Sequence, residues 1–149
     1  MNLILLSNST SDAGYLTHAL PWIREWASHH DATGDALFVP FAGVTRTWDA
    51  YETLVAEALA PLGLRVRSVR RLSDPVAAVQ AARHVIVGGG NTFALLGHLR
   101  TTGLLEAIGA RVRSGRASYL GWSAGANVAC PTICTTNDMP IADPGGFGA

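Results

Sequence analysis

The sequence predicts an α/β domain: a doubly wound, mostly parallel sheet with helices on both faces. Three observations lead there. Short apolar runs recur at residues 3–6, 36–39, 85–87 and 117–120, with an alternating run at 64–69. Segments of helical length and spacing separate them, the pattern of parallel strands covered on both sides. Four polar or glycine-rich loops, at residues 7–10, 40–45, 88–92 and 121–125, follow strand carboxyl ends, where ligands sit in such sheets.

The elements follow in order. Residues 3–6 form the first strand, with Ser7-Asn8-Ser9-Thr10 as its exit loop. Residues 15–26 carry helical apolar spacing around Pro21. The second strand, 36–39, is closed by Pro40-Phe41-Ala42-Gly43. A helix spans 47–59, with Thr47 as N-cap, Asp49 in its first turn and Gly63 as its stop. The strand at 64–69 alternates as a sheet edge with one wet side. Asp74-Pro75 opens a short helix through Ala82, with proline at the first helical position. The strand at 85–87 runs into Gly88-Gly89-Gly90-Asn91, helices span 92–99 and 103–113, and a strand at 117–120 ends the series. The tail, residues 138–149, is loop-like, and the chain reads as cut short with its C-terminal part missing.

Composition limits the function. The 149 residues are expected to form one domain (1–149), with 48% apolar and 15% charged residues, as in a compact globular protein. Eleven basic and eleven acidic residues give zero net charge. Arg65, Arg67, Arg70 and Arg71 flank a strand and read as a solvated edge, which argues against nucleic-acid binding. Every basic residue is arginine, so Schiff bases, Ser-Lys dyads and P-loop lysines are excluded within these residues. Cys130 and Cys134 read as free thiols without metal-site company. No run of 18 apolar residues suggests a membrane span. The apolar start lacks a basic flank and reads as a first strand rather than a signal peptide, so the expected location is cytoplasmic.

The sharpest feature is Gly121-Trp122-Ser123-Ala124-Gly125, a G-x-S-x-G sequence between a strand and a run of small residues. A serine on such a strand-to-helix turn exposes its hydroxyl at the sheet's carboxyl edge, and the next N–H, from Ala124, points to where an oxyanion would form. The alternative is that Ser123 merely caps a helix. For the glycine run three readings stand: a second oxyanion donor, an ordinary tight turn, and, least supported, a phosphate cradle. The spacing is not G-x-G-x-x-G, which weakens a dinucleotide reading.

A serine nucleophile needs a base. His84 begins a strand, at the opposite end of the sheet from Ser123. His18, His29 and His30 belong to the first helix or its exit, and His98 lies two turns into a helix. All five read as surface or packing residues, and only Asp138 and Asp143 follow Ser123 as acids.

Five stretches taken together resemble the peptidase E (α-aspartyl dipeptidase) family, whose fold is similar to class I glutamine amidotransferases. They are Ser7-Asn8-Ser9-Thr10, Pro40-Phe41-Ala42-Gly43-Val44-Thr45, Val87-Gly88-Gly89-Gly90-Asn91-Thr92-Phe93, Gly121-Trp122-Ser123-Ala124-Gly125-Ala126-Asn127 and Thr135-Thr136-Asn137-Asp138-Met139-Pro140. The resemblance covers the whole chain. It implies a serine peptidase cleaving dipeptides with N-terminal aspartate through an acyl-enzyme, with no metal or cofactor. It carries the nucleophile to Ser123 and the oxyanion hole to the N–H groups of Gly90 and Ala124, and it suggests a homodimer. Family members are longer, and their histidine, supporting carboxylate and aspartate-recognising group lie beyond the matching residues. The alternative expectation is a shortened, inactive homologue acting as a binding or interaction module.

Overall fold

The computed structural model describes residues 1–30 and 34–139. Its sheet is built from β1 (Asn2–Leu6), β4 (Asp35–Val39), β5 (Arg65–Ser68), β6 (His84–Val87) and β7 (Ser118–Trp122), all parallel, in the order β1-β7-β6-β4-β5. Two short strands, β2 (Thr10–Ser11) and β3 (Gly14–Tyr15), pair as a small antiparallel hairpin over the carboxyl end. The helices are α1 (Leu20–Ser28), α2 (Trp48–Leu59), α3 (Pro75–Ala81), α4 (Thr92–Thr101), α5 (Leu104–Arg113) and α6 (Ala124–Asn127).

Strand alternation divides the core in two. Ala36, Phe38, Ile86, Leu120 and Trp122 face the side covered by α1 and α2, packing with Ile23, Trp26, Val55 and Leu59. Leu37, Val39, Val85, Val87 and Tyr119 face the other side, with Val79 of α3, Leu95 of α4 and Ile108 of α5. Helices on both faces of a parallel sheet are what the apolar runs imply. Edge strand β1 differs: Ile4 and Leu6 pack inward, whereas Leu3 and Leu5 are 40% and 44% exposed.

The caps explain the helix starts. Thr47 accepts a hydrogen bond from the Ala50 N–H, Asp74 from Ala77, and Asn91 from Ala94. The expected helix over 15–26 is corrected. Tyr15 belongs to the hairpin, Thr17–Ala19 form a 3-10 turn, and α1 begins at Leu20. Pro21 accounts for the late start, because proline fits the first helical turn but cannot donate within a helix. The strand expected over 64–69 is shorter by a residue at each end, since Val69 enters a 3-10 turn with Arg70 and Arg71. Those two arginines pair with Asp49 and Glu52 of α2, and Arg65 pairs with Asp35, so the arginine cluster is a solvated sheet edge. Cys130 and Cys134 are free and exposed. Among the described residues no helix is long and apolar enough to cross a membrane.

Candidate active site

The turn from β7 into α6 bends at Ser123, whose backbone takes φ 50° and ψ −115°. Non-glycine residues rarely adopt positive φ, and the conformation persists only where neighbours enforce it. Here the enforcement is visible. The Ser123 N–H donates to the Leu6 carbonyl at 2.9 Å, and the Ser123 carbonyl accepts from Ala126 and Asn127, each at 2.9 Å. The glycines on either side allow the close approach: a Cβ on Gly125 would lie 2.1 Å from the Val87 carbonyl oxygen, and one on Gly121 2.6 Å from that of Gly125. The turn therefore presses α6 against β6 while leaving Ser123 half-buried at a cavity.

That cavity, about 600 Å³, lies at the carboxyl ends of the strands. The four loops expected from the sequence meet there, contributing Asn8, Thr45, Gly90 and Ser123 among others. The glycine run lies directly against the elbow, since a Cβ on Gly89 would stand 2.9 Å from the Ser123 Cβ. Gly90 has φ 137°, and a Cβ there would lie 2.1 Å from the Ala42 carbonyl oxygen. Among the described residues, neither the Gly90 N–H nor the Ala124 N–H has a hydrogen-bond partner. Ser123 and Gly90 both line the cavity, and Ala124, next in the chain to Ser123, is buried at the start of α6.

The N-terminus of α4 is already occupied. The Asp138 carboxylate accepts from the Thr92 N–H at 2.6 Å, and Asn91 accepts from Ala94. Asn127 Nδ2 and the Thr136 hydroxyl each reach the Thr92 hydroxyl at 3.2 Å. Burial would raise the Asp138 pKa, but hydrogen bonds from Thr92 and Thr136 outweigh it and hold the carboxyl below its ordinary range. A helix end filled by the chain's own carboxylate leaves no phosphate cradle. Asp143 lies outside the described residues.

The histidines stand elsewhere. His84 is fully buried at the amino end of β6, against Trp26 and His30, and both ring nitrogens lack partners among the described residues. Burial first, then the charges of His30, Arg83 and His29, push its pKa down to about 4. His98 packs on Phe41 and Trp48. None of the five histidines lines the cavity.

Sequence reasoning did not single out Tyr51. It sits among apolar residues of α2 at ordinary core spacing, yet its hydroxyl donates to the Gly89 carbonyl at 2.9 Å and accepts from Trp122 Nε1 at 3.1 Å. It also accepts from the Tyr15 hydroxyl at 3.4 Å, and nothing local to residues 47–59 marks any of this, because the partners lie 36, 38 and 71 residues away. Arg46, also unremarked, lies 5.2 Å over the Tyr51 ring at the cavity edge.

A serine at a strained strand-helix turn, beside a glycine run, is a pattern that can be compared with known proteins. The chain matches peptidase family S51 over residues 3–149. It belongs to that family. S51 relatives named peptidase E from Salmonella typhi and Salmonella typhimurium are 57% and 56% identical over 150 aligned residues. Both alignments take in 100% of this chain and 64% of the relative, so the chain spans under two thirds of their length. A solved structure from Listeria monocytogenes EGD-e, provisionally named peptidase E, superposes with a TM-score of 0.70 at 28% identity, covering 93% of this chain and 67% of that one. The S51 match and this superposition agree with a mostly parallel α/β sheet as the family's framework.

Proposed function

We propose that this chain carries the nucleophile half of a serine dipeptidase that hydrolyses dipeptides with N-terminal aspartate. The observation that carries the reading is Ser123, held at positive φ on the cavity floor with two unpartnered N–H groups beside it. Ser123 Oγ attacks the aspartyl α-carbonyl, and the oxygen that gains charge is met by the N–H groups of Gly90 and Ala124. Collapse of the tetrahedral adduct breaks the C–N bond, the second residue leaves with a proton on its amine, and an ester remains on Ser123. Water then adds to the ester and releases aspartate. The N–H donors are fixed before the reaction, so they stabilise the charge without reorganising.

Arg46 is the one cationic side chain among the described residues that line the cavity, and it suits an acidic substrate. The proton acceptor is not one of the five histidines. On this reading it comes, with its supporting carboxylate, from a segment matching the rest of the relatives' length, as does further recognition of aspartate. The 149 residues alone are then expected to turn over Asp-X dipeptides negligibly.

The test is an assay of relative-length protein and of the 149-residue chain against Asp-X, Glu-X and Ala-X dipeptides. Preference for Asp-X by the longer form, with a trapped aspartyl ester on the peptide containing Ser123, supports the reading. Turnover of Asp-X without any ester on Ser123 would contradict it.

A further inference from the structure

We propose that Tyr51 is a positioning residue that aims the Gly90 N–H into the cavity; this rests on the reading of Gly90 as an oxyanion donor. The polarity of the contacts around its hydroxyl is fixed by chemistry. An indole N–H can only donate, so Trp122 Nε1 fills an acceptor position on the Tyr51 oxygen at 3.1 Å. A backbone carbonyl can only accept, so the single Tyr51 proton goes to the Gly89 oxygen at 2.9 Å. Burial pushes the Tyr51 hydroxyl well above its ordinary range, so it keeps that proton.

The consequence is geometric. The Gly89–Gly90 peptide is planar and trans, so its C=O and N–H point in opposite directions. With the Gly89 carbonyl turned to the Tyr51 hydroxyl, the Gly90 N–H points the opposite way, where it has no partner among the described residues. The next peptide is fixed separately, by the Asn91 N–H on the Ala42 carbonyl at 2.8 Å. Glycines are required here for close approach, yet their freedom would also let this peptide rotate. The Tyr51 hydroxyl supplies the constraint that absent side chains do not. Because the same hydroxyl holds Trp122, the residue before Ser123, it also ties the glycine run to the elbow.

Tyr51→Phe removes only the hydroxyl and is read in two ways. In the variant's crystal structure the Gly89 carbonyl is expected to leave its position, or to split between two, and the Gly90 N–H to turn with it. An unchanged peptide would overturn the proposal. In protein that hydrolyses Asp-X, kcat is expected to fall by about 10-fold to 10³-fold, the upper end being loss of a whole oxyanion donor, with KM within about twofold. A rise in KM at constant kcat, or no change in either, would overturn it. Should Tyr51→Phe not fold, unaltered protein carrying a peptide boronic acid on Ser123 decides the matter. Gly90 nitrogen about 3 Å from a boronate oxygen, with Tyr51 still on Gly89, supports the proposal; a peptide turned away from the boronate sinks it. If Ser123→Ala keeps full activity, the reading of the nucleophile fails, while the variant's crystal structure still judges whether Tyr51 sets the peptide.

Discussion

Strand β6 starts at His84 and neighbouring β7 ends at Trp122, and the two ends of the sheet handle polar groups differently. At the amino end, His84 is fully buried with neither ring nitrogen bonded among the described residues, 4.8 Å from the Trp26 ring and 5.8 Å from that of His30. At the carboxyl end the buried hydroxyl of Tyr51, the indole N–H of Trp122 and the hydroxyl of Thr92 all have partners. Backbone strain collects there too. The two non-glycine residues with positive φ among those described are Ser123 and Leu16, the latter closing the hairpin over the cavity. The carboxyl end thus holds strain beside hydrogen-bonded side chains, whereas the amino end keeps an imidazole uncharged by burial. A histidine on a neighbouring strand is therefore a packing group, and chain proximity does not make it a base for Ser123.

The largest expected effect breaks the carboxyl end alone. In protein active on Asp-X, Ser123→Ala should lower kcat by roughly 10⁴–10⁶-fold with the melting curve retained; near-normal turnover would remove Ser123 from the chemistry. Next comes Gly90→Ala. Its Cβ would overlap the Ala42 carbonyl at 2.1 Å, and φ 137° suits only glycine, so the donor must move. Activity should fall by at least about 10²-fold, as for loss of an oxyanion donor; an active alanine variant would show that the second donor lies elsewhere.

Two smaller effects test the ends against each other by stability. With a folded pKa of about 4, His84 binds its proton less readily than in the unfolded chain, whose value is 6.5. The unfolded state takes up the proton first, so this contribution is present above pH 6.5 and is lost as pH falls toward 4. At pH 5 the loss is about 2 kcal/mol. His84→Leu should flatten the decline of the melting temperature between these limits; an unchanged slope would place the titration on another group. Asp138→Asn should cost up to about 1 kcal/mol at neutral pH, because the charge at the start of α4 is lost while an acceptor remains. The thermal midpoint should drop by a few degrees, and the difference from the parent protein should vanish in acid, where the parent carboxyl is protonated. A difference that persists in acid would mean that the charge is not what matters.

Much of this was legible in the sequence for local reasons. Strand runs, the caps at Thr47 and Asp74, and the glycine-flanked serine all express backbone requirements met within a few residues. The start of α1 was not, because the hairpin of β2 and β3 takes Tyr15 out of a segment whose spacing alone reads as helical. Tyr51 was hidden for a different reason. A tyrosine at core spacing declares its ring but not its hydroxyl, and here the hydroxyl's partners, Tyr15, Gly89 and Trp122, come from the hairpin, the glycine run and the end of β7. Asp138 was visible as an acid following the serine, but its place as the cap of α4 depends on a contact 46 residues away.

The central claim, that Ser123 is the reactive group of the carboxyl end, is tested most directly by covalent labelling. Protein that hydrolyses Asp-X is treated with a fluorophosphonate, digested and mapped by mass spectrometry while residual activity is followed. The account predicts one phosphonyl group per chain, on Ser123, with activity lost in proportion to labelling. Fully labelled protein that still hydrolyses Asp-X, or inactivation by a label on another residue with Ser123 untouched, would contradict it.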